Sequence, residues 1–201
     1  MSLFKRLLGK KSKSEDKAPS KERSNYFQEQ DDLPTDEKFT QNFSKNGGKF
    51  LYCLNWDEVS EAFDNILLEN DWYEQEVFCM DPTLVKKFDG YNLKFSKSDN
   101  ACFVLSQCES LVATNGAILL CSNQIKEKKL SELPTNVIIF ATTSQLVETI
   151  SEGLQLIKSR SNKSIPTNIT TIQDFEMEDE KDFMSYGSSP KNLYLLLMED
   201  L

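Results

Sequence analysis

Apolar residues in this chain come in short, unbroken runs, and stretches with helical periodicity separate them. The longest runs, at residues 137–141 and 193–198, are strand-sized and far short of the ~18 apolar residues that a membrane-spanning helix needs. A run with no polar interruption fits a strand buried on both faces. Such strands alternating with amphipathic helices build an α/β fold, an open and mostly parallel sheet with helices on both faces.

Local signals place the elements. Thr35 or Asp36 can cap a short helix with Phe39 and Phe43 one turn apart, ended by Gly47-Gly48. A strand follows at residues 49–54. Asn55-Trp56-Asp57-Glu58 is a capping box with Asn55 as the cap, and Val59, Phe63, Ile66 and Leu67 fall at helical spacing beyond it. Further strands are predicted at residues 77–80 (stopped by Asp81-Pro82), near 93–95 after a Gly90 turn, at 101–105, at 117–121 and at 137–141. Leu146, Val147, Ile150, Leu154 and Ile157 form the clearest helical stripe in the chain. Strands at 169–172 and 193–197 complete the sheet.

A length of 201 residues fits one domain plus appendages. Residues 1–34 read as a disordered basic tail, Lys- and Ser-rich with little to bury. Leu3, Phe4, Leu7 and Leu8 share one helical face among Lys5, Arg6, Lys10 and Lys11, so residues 1–11 could touch an anionic membrane surface or a partner. The α/β domain is expected over residues 35–201, interrupted by an acidic loop at 173–188. Six acids and one Lys between Asp174 and Asp182 suit a solvated loop; a calcium site would need the EF-hand order and its turn glycine, and neither is there.

Composition closes several functional classes. Histidine is absent, which removes Ser–His–Asp and Cys–His hydrolases outright and takes away the commonest metal ligand. Five cysteines (Cys53, Cys79, Cys102, Cys108, Cys121) stand far apart with no CxxC pair, so they read as small buried hydrophobes of a reducing compartment, not as metal or cluster ligands. No secretory signal is evident, and the expected location is the cytoplasm. Neither GxGxxG nor GxxxxGK[ST] occurs. The charge is split. Residues 1–24 carry eight Lys or Arg against three acids, whereas residues 25–201 hold 15 basic against 29 acidic residues. A body with net charge −14 repels phosphate backbones, which argues against a nucleic-acid role.

Two loops are candidate ligand sites. Thr114, Asn115 and Gly116 make a turn before an apolar strand, a sequence that also serves as an ordinary tight turn. Thr142, Thr143 and Ser144 stand between a parallel-type strand and the predicted helix at 146–157. Free helix N–H groups and three hydroxyls there would suit an anion, or simply cap the helix.

Three segments, in this order, carry a family resemblance: residues 111–120 (LVATNGAILL), Leu133-Pro134-Thr135-Asn136 with the apolar run after it, and Ser189-Pro190-Lys191-Asn192 leading into residues 193–197. Over about residues 99–201 they resemble the LUD domain, the lactate-utilisation family that includes LutC-type proteins. The resemblance implies an open sheet of the sugar-phosphate isomerase and CoA-transferase type. It also implies a role in a cytoplasmic system oxidising L-lactate, as a metabolic accessory protein of bacterial type beside separate iron–sulfur proteins. No cofactor, metal or catalytic residue of its own would be needed, and Thr114, Asn115, Gly116, Thr142, Thr143 and Ser144 would line a cleft for a small organic acid. Three departures stand out. Thr114 occupies the place of the family's Glu, the acidic segment from Gln173 replaces its "GPS-x-T-x-DIE" loop, and Ser188-Ser189-Pro190 replaces "HGP". A threonine cannot act as an acyl-accepting carboxylate, which counts against a CoA-transferase or isomerase reading. The other alternative is a non-catalytic interaction protein tethered by its basic N-terminus.

Overall fold

Two strands, β7 (Asn136–Thr142) and β10 (Asn192–Met198), form the spine of the fold. The computed structural model describes residues 33–98, 100–161, 164–175 and 191–200. β7 and β10 run parallel, with Val137 beside Leu193 and Ala141 beside Leu197. Their side chains alternate between two cores. Val137, Ile139, Leu193 and Leu195 enter one, while Ile138, Phe140, Tyr194 and Leu196 enter the other. The unbroken apolar runs are thus the signature of two buried faces.

With β1 (Lys49–Cys53), β2 (Glu76–Phe78), β3 (Lys94–Ser96) and β4 (Phe103–Ser106), the spine makes a six-stranded sheet in the order β1-β10-β7-β4-β2-β3. Every neighbouring pair in it is parallel. Helices cover both faces, as the sequence led us to expect. Helix α1 (Thr35–Lys45) buries Phe39 and Phe43 in the first core, and α2 (Trp56–Asn70) buries Val59, Phe63, Ile66 and Leu67 in the second.

The caps differ in detail from the sequence reading. Asn55 does cap α2, accepting the Glu58 N–H at 3.0 Å, which typically contributes about 1 kcal/mol. The Glu58 carboxylate, however, reaches back to the Leu54 N–H (2.8 Å). Neither Thr35 nor Asp36 caps α1. Pro34 holds the cap position without a side-chain bond, and Thr35 is already helical. Asp81-Pro82 ends β2 as expected but also starts a short helix, α3 (Pro82–Lys87), with Asp81 accepting the Thr83 N–H at 2.7 Å.

A second, four-stranded sheet was not foreseen. It runs β8 (Leu146–Val147), β5 (Ser110–Val112), β6 (Ala117–Leu120), β9 (Thr170–Ile172). β6 is antiparallel to both neighbours, while β5 and β8 are parallel. Leu111, Ile118 and Ile172 join the core beneath α1, and Val112, Ala117, Leu119 and Val147 face outward to Ile157 of α5 (Ile150–Arg160), the helix after the short α4 (Ser122–Ile125). The predicted 146–157 helix is therefore split: Leu146 and Val147 are strand, and Thr149 caps α5 by accepting the Glu152 N–H. Leu154 is 40% exposed, while its neighbour Gly153 is buried. A Cβ at Gly153 would lie 2.8 Å from Leu119 Cδ2, so α5 rests on β6 through the glycine.

Residues 1–32, with the predicted amphipathic segment, lie outside the described residues, as do 176–188 of the predicted acidic loop. Pro34–Leu201 forms one unit, and the description concerns that unit. Phe175, at the start of the predicted loop, is buried with its ring centroid 4.8 Å from that of Phe43. Phe43 also stacks on Phe39 at 5.3 Å and packs against Gly48, where a Cβ would strike its ring. Phe43→Ala should lower the unfolding free energy by about 3–5 kcal/mol, read from denaturant melts. A loss under about 1 kcal/mol would mean that this ring does not anchor α1.

Candidate functional site

A parallel sheet delivers all its carboxyl ends to one edge, and ligands of open α/β sheets bind beyond that edge. Here β7 ends there in Thr142, Thr143 and Ser144. No long helix follows directly. Thr143–Gln145 is a single 3-10 turn, and β8 comes next. The dipole of a long helix is accordingly missing at this loop, and Thr142 caps only the 3-10 turn, while the long helix is capped by Thr149. The donors remain, and they hold a carboxylate. Asp200, just past β10, accepts from the Thr143 hydroxyl (2.8 Å), the Ser144 N–H (2.9 Å) and the Ser144 hydroxyl (2.7 Å). Thr142 and Ser144 hydroxyls lie 3.0 Å apart, and the Gln145 side chain ties back to the Thr142 N–H and the Cys108 carbonyl. Desolvation alone would push the Asp200 carboxyl up, but these donors outweigh it and hold the group below the usual Asp value.

Thr114, Asn115 and Gly116 sit at the end of β5 under α1. A stripe of α1 residues at helical spacing (Thr35, Lys38, Asn42) grips this region, with Asn46 just beyond the helix end. Asn42 Nδ2 donates to the Ala113 and Thr114 carbonyls (2.8 and 3.3 Å), and Asn46 Nδ2 to the Asn115 carbonyl (2.8 Å). Thr35 and Lys38 bind the Glu148 carboxylate, Lys38 as an ion pair, and the Glu148 carbonyl takes the Thr114 N–H at 3.1 Å. The hydrogen bond from Lys38 keeps the Glu148 carboxyl below its ordinary value. Gly116 has φ +62, and a Cβ there would run into the backbone of Asn42 and Phe43. Its smallness is needed for α1 to dock. The Thr114 side chain is exposed.

The two loops lie at opposite ends of β8. Leu111 pairs with Leu146 and Val112 with Val147, so Thr142, Thr143 and Ser144 precede β8 while Thr114, Asn115 and Gly116 lie level with its far end. A polar cleft of 370 Å³ lined by residues including Ser122, Asn123, Arg160 and Thr167 contains none of them. Ser122 and Thr167 in that cleft bond each other.

Asp200, Lys38 and Glu148 escaped the sequence reading. The polar stripe is visible in the sequence of α1 beside the apolar Phe39 and Phe43. Asp200 gave no local signal, because its partners lie 56 and 57 positions away.

Among the described residues, no group of three or more Cys, Asp or Glu is placed to hold a metal, and no helix is long and apolar enough to cross a membrane. The five cysteines are free, and all but Cys102 are buried.

A family model for the LUD domain matches residues 71–198. The chain belongs to the LUD domain family. Its fold is similar to the crystal structure of a DUF162 family protein from Deinococcus radiodurans, at a TM-score of 0.58 and 15% identity, over 84% of this chain and 99% of that one. No curated protein matches. The family match reaches back beyond residue 99 to the end of α2, so it takes in β2 and β3 as well. The turn of this LUD domain has Thr114, and the nearby Glu148 carboxylate is already committed to Lys38 and Thr35.

Asp200 and Glu148 both have lowered folded pKa values, so the native state binds fewer protons there than the unfolded chain. Their stabilisation is complete above the ordinary carboxylate range near ~4 and is lost as pH falls through the lowered values. Melting temperatures from pH 7 to 2 should drop less steeply on the acid side for Asp200→Asn and Glu148→Gln than for the parent; parallel curves would refute the linkage. For the thiols, burial raises Cys53 and Cys79 to about 11 and Cys121 to about 12. At pH 8, iodoacetamide should label Cys102 first and the other four only on unfolding. Rapid labelling of two or more thiols in the native protein would contradict this.

Proposed function

We propose that this LUD domain is a non-redox accessory or ligand-binding component of L-lactate, or other small organic acid, utilisation. It would work in the cytoplasm beside iron–sulfur proteins that carry the electrons. The observation behind this reading is the donor set of Thr143 and Ser144, which receives a carboxylate at 2.7–2.9 Å at the carboxyl edge of the parallel sheet. Neutral amide and hydroxyl donors of this kind suit a small monocarboxylate that must bind and leave. Family membership points the same way. The acyl-transferase alternative loses support because Thr114 supplies no carboxylate and Glu148 is held in an ion pair. Thr114, Asn115 and Gly116 enter this reading as the support that positions β5 and β8.

The test combines calorimetric titration of the full chain with L-lactate and affinity purification of the tagged protein from its own cells, grown with and without lactate. The expected result is saturable lactate binding and co-purification of cysteine-rich iron–sulfur proteins, stronger on lactate. Absence of both would refute the lactate assignment.

A further inference from the structure

The connections leaving the parallel sheet part company on either side of β10. After β1 the chain enters α2, on the face that holds Phe63 and Leu67; after β7 it enters β8 and α5, on the opposite face. Strands whose connections leave to opposite faces open a crevice at the carboxyl edge, and such switch points are where open α/β sheets bind ligands. β10 lies between β1 and β7, and it sends Glu199 and Asp200 into that opening.

These two consecutive acids reach to opposite sides. The Glu199 carboxylate accepts from the Tyr52 hydroxyl of β1 (2.6 Å), and the Glu199 N–H donates to the Cys53 carbonyl (2.9 Å). Asp200 turns to the end of β7, taking both Ser144 donors and the Thr143 hydroxyl, while its own N–H donates to Thr143 Oγ1 at 3.1 Å. Glu199 is the anchored member. Asp200 is exposed and its partners are neutral, so water can replace them when it swings away.

We propose that Asp200 is a built-in competitor: its carboxylate occupies the carboxylate subsite of Thr143 and Ser144, and a small organic acid anion binds there only by displacing it. This rests on the reading of the chain as an organic-acid binder. The exchange leaves every donor satisfied, because one carboxylate replaces another. Both cannot share the donors, since two carboxylates at hydrogen-bonding distance from the same groups repel each other. A self-occupied site lowers apparent affinity by the fraction of molecules in which it is open. A site closed in nine molecules of ten, or more, would show roughly a tenfold loss or greater.

The experiment follows the Ser144 amide in proton–nitrogen spectra of the full chain at pH 7, for the parent, Asp200→Ala and Asp200→Asn, titrated separately with acetate and with L-lactate. Removing the competitor should give a saturable Ser144 shift with acetate, with a dissociation constant at least about tenfold below the parent's. Adding Ser144→Ala to Asp200→Ala should reverse that gain, with binding followed by calorimetry. Equal affinities in parent and variants, or no saturable Ser144 shift in either variant, would overturn the proposal. Loss of folding in both variants would assign Asp200 to structure alone and overturn it equally. The lactate arm separates the two readings: a gain for acetate with no preference for lactate keeps the competitor and removes the lactate assignment.

Discussion

Insertion of β10 between β1 and β7 is the constraint on which the rest depends. Among the described residues β1 has no other neighbour in the parallel sheet, so its place there depends on a strand about 145 residues later, as the Lys49–Tyr194 pairing shows. A one-residue slip of β10 would exchange the side chains bound for the two cores. Polar contacts at both ends of the strand oppose that slip. At the amino end, Lys191 is 1% exposed and donates to the Leu133 and Pro134 carbonyls (2.9 and 3.2 Å), with its pKa lowered by burial. Asn192 donates to Asn136, and the Tyr194 hydroxyl meets Lys49 and Asn70. At the carboxyl end, Glu199 and Asp200 hold β1 and the turn after β7.

What could be read from sequence follows from how local each signal is. The runs at 137–141 and 193–197 announced β7 and β10 because both faces of each strand are apolar. The Asn55 cap announced α2 because its partner is three residues away. Ser110–Val112 and Leu146–Val147 were invisible as strands. They are two or three residues long and exist only by pairing with each other and with β6. The stripe at Leu146, Val147, Ile150, Leu154 and Ile157 fitted a helix on periodicity alone, but Gly153 gives the closer approach and turns Leu154 outward. At the candidate site, the hydroxyls of Thr142, Thr143 and Ser144 were legible as donors. Their acceptor was not, because a lone Asp at the end of a strand has no pattern that points 56 residues back.

The strand framework matched by the family model is intact, since every apolar position in β7 and β10 has a core to enter. The turn at Thr114, Asn115 and Gly116 keeps the one property its packing requires, a glycine at positive φ beneath α1. With Asn42 and Asn46 taking the turn's carbonyls, this end of β8 is built as a joint between α1 and the second sheet.

The carboxylates near the two ends of β8 then differ in kind. Glu148 faces a lysine whose side chain is only 9% exposed, and releasing Glu148 would leave that ammonium nearly buried without its counter-charge. Such a pair stays closed. Asp200 is held by three neutral donors at an exposed position, and those donors can accept a different carboxylate without stranding a charge. In a body with 29 acids against 15 bases over residues 25–201, an incoming anion also meets repulsion from much of the surface. The Thr143–Ser144 donors, supplied by the loop after β7 and placed by the pairing of β7 with β10, are therefore the better-suited of the two positions for a small anion to exchange.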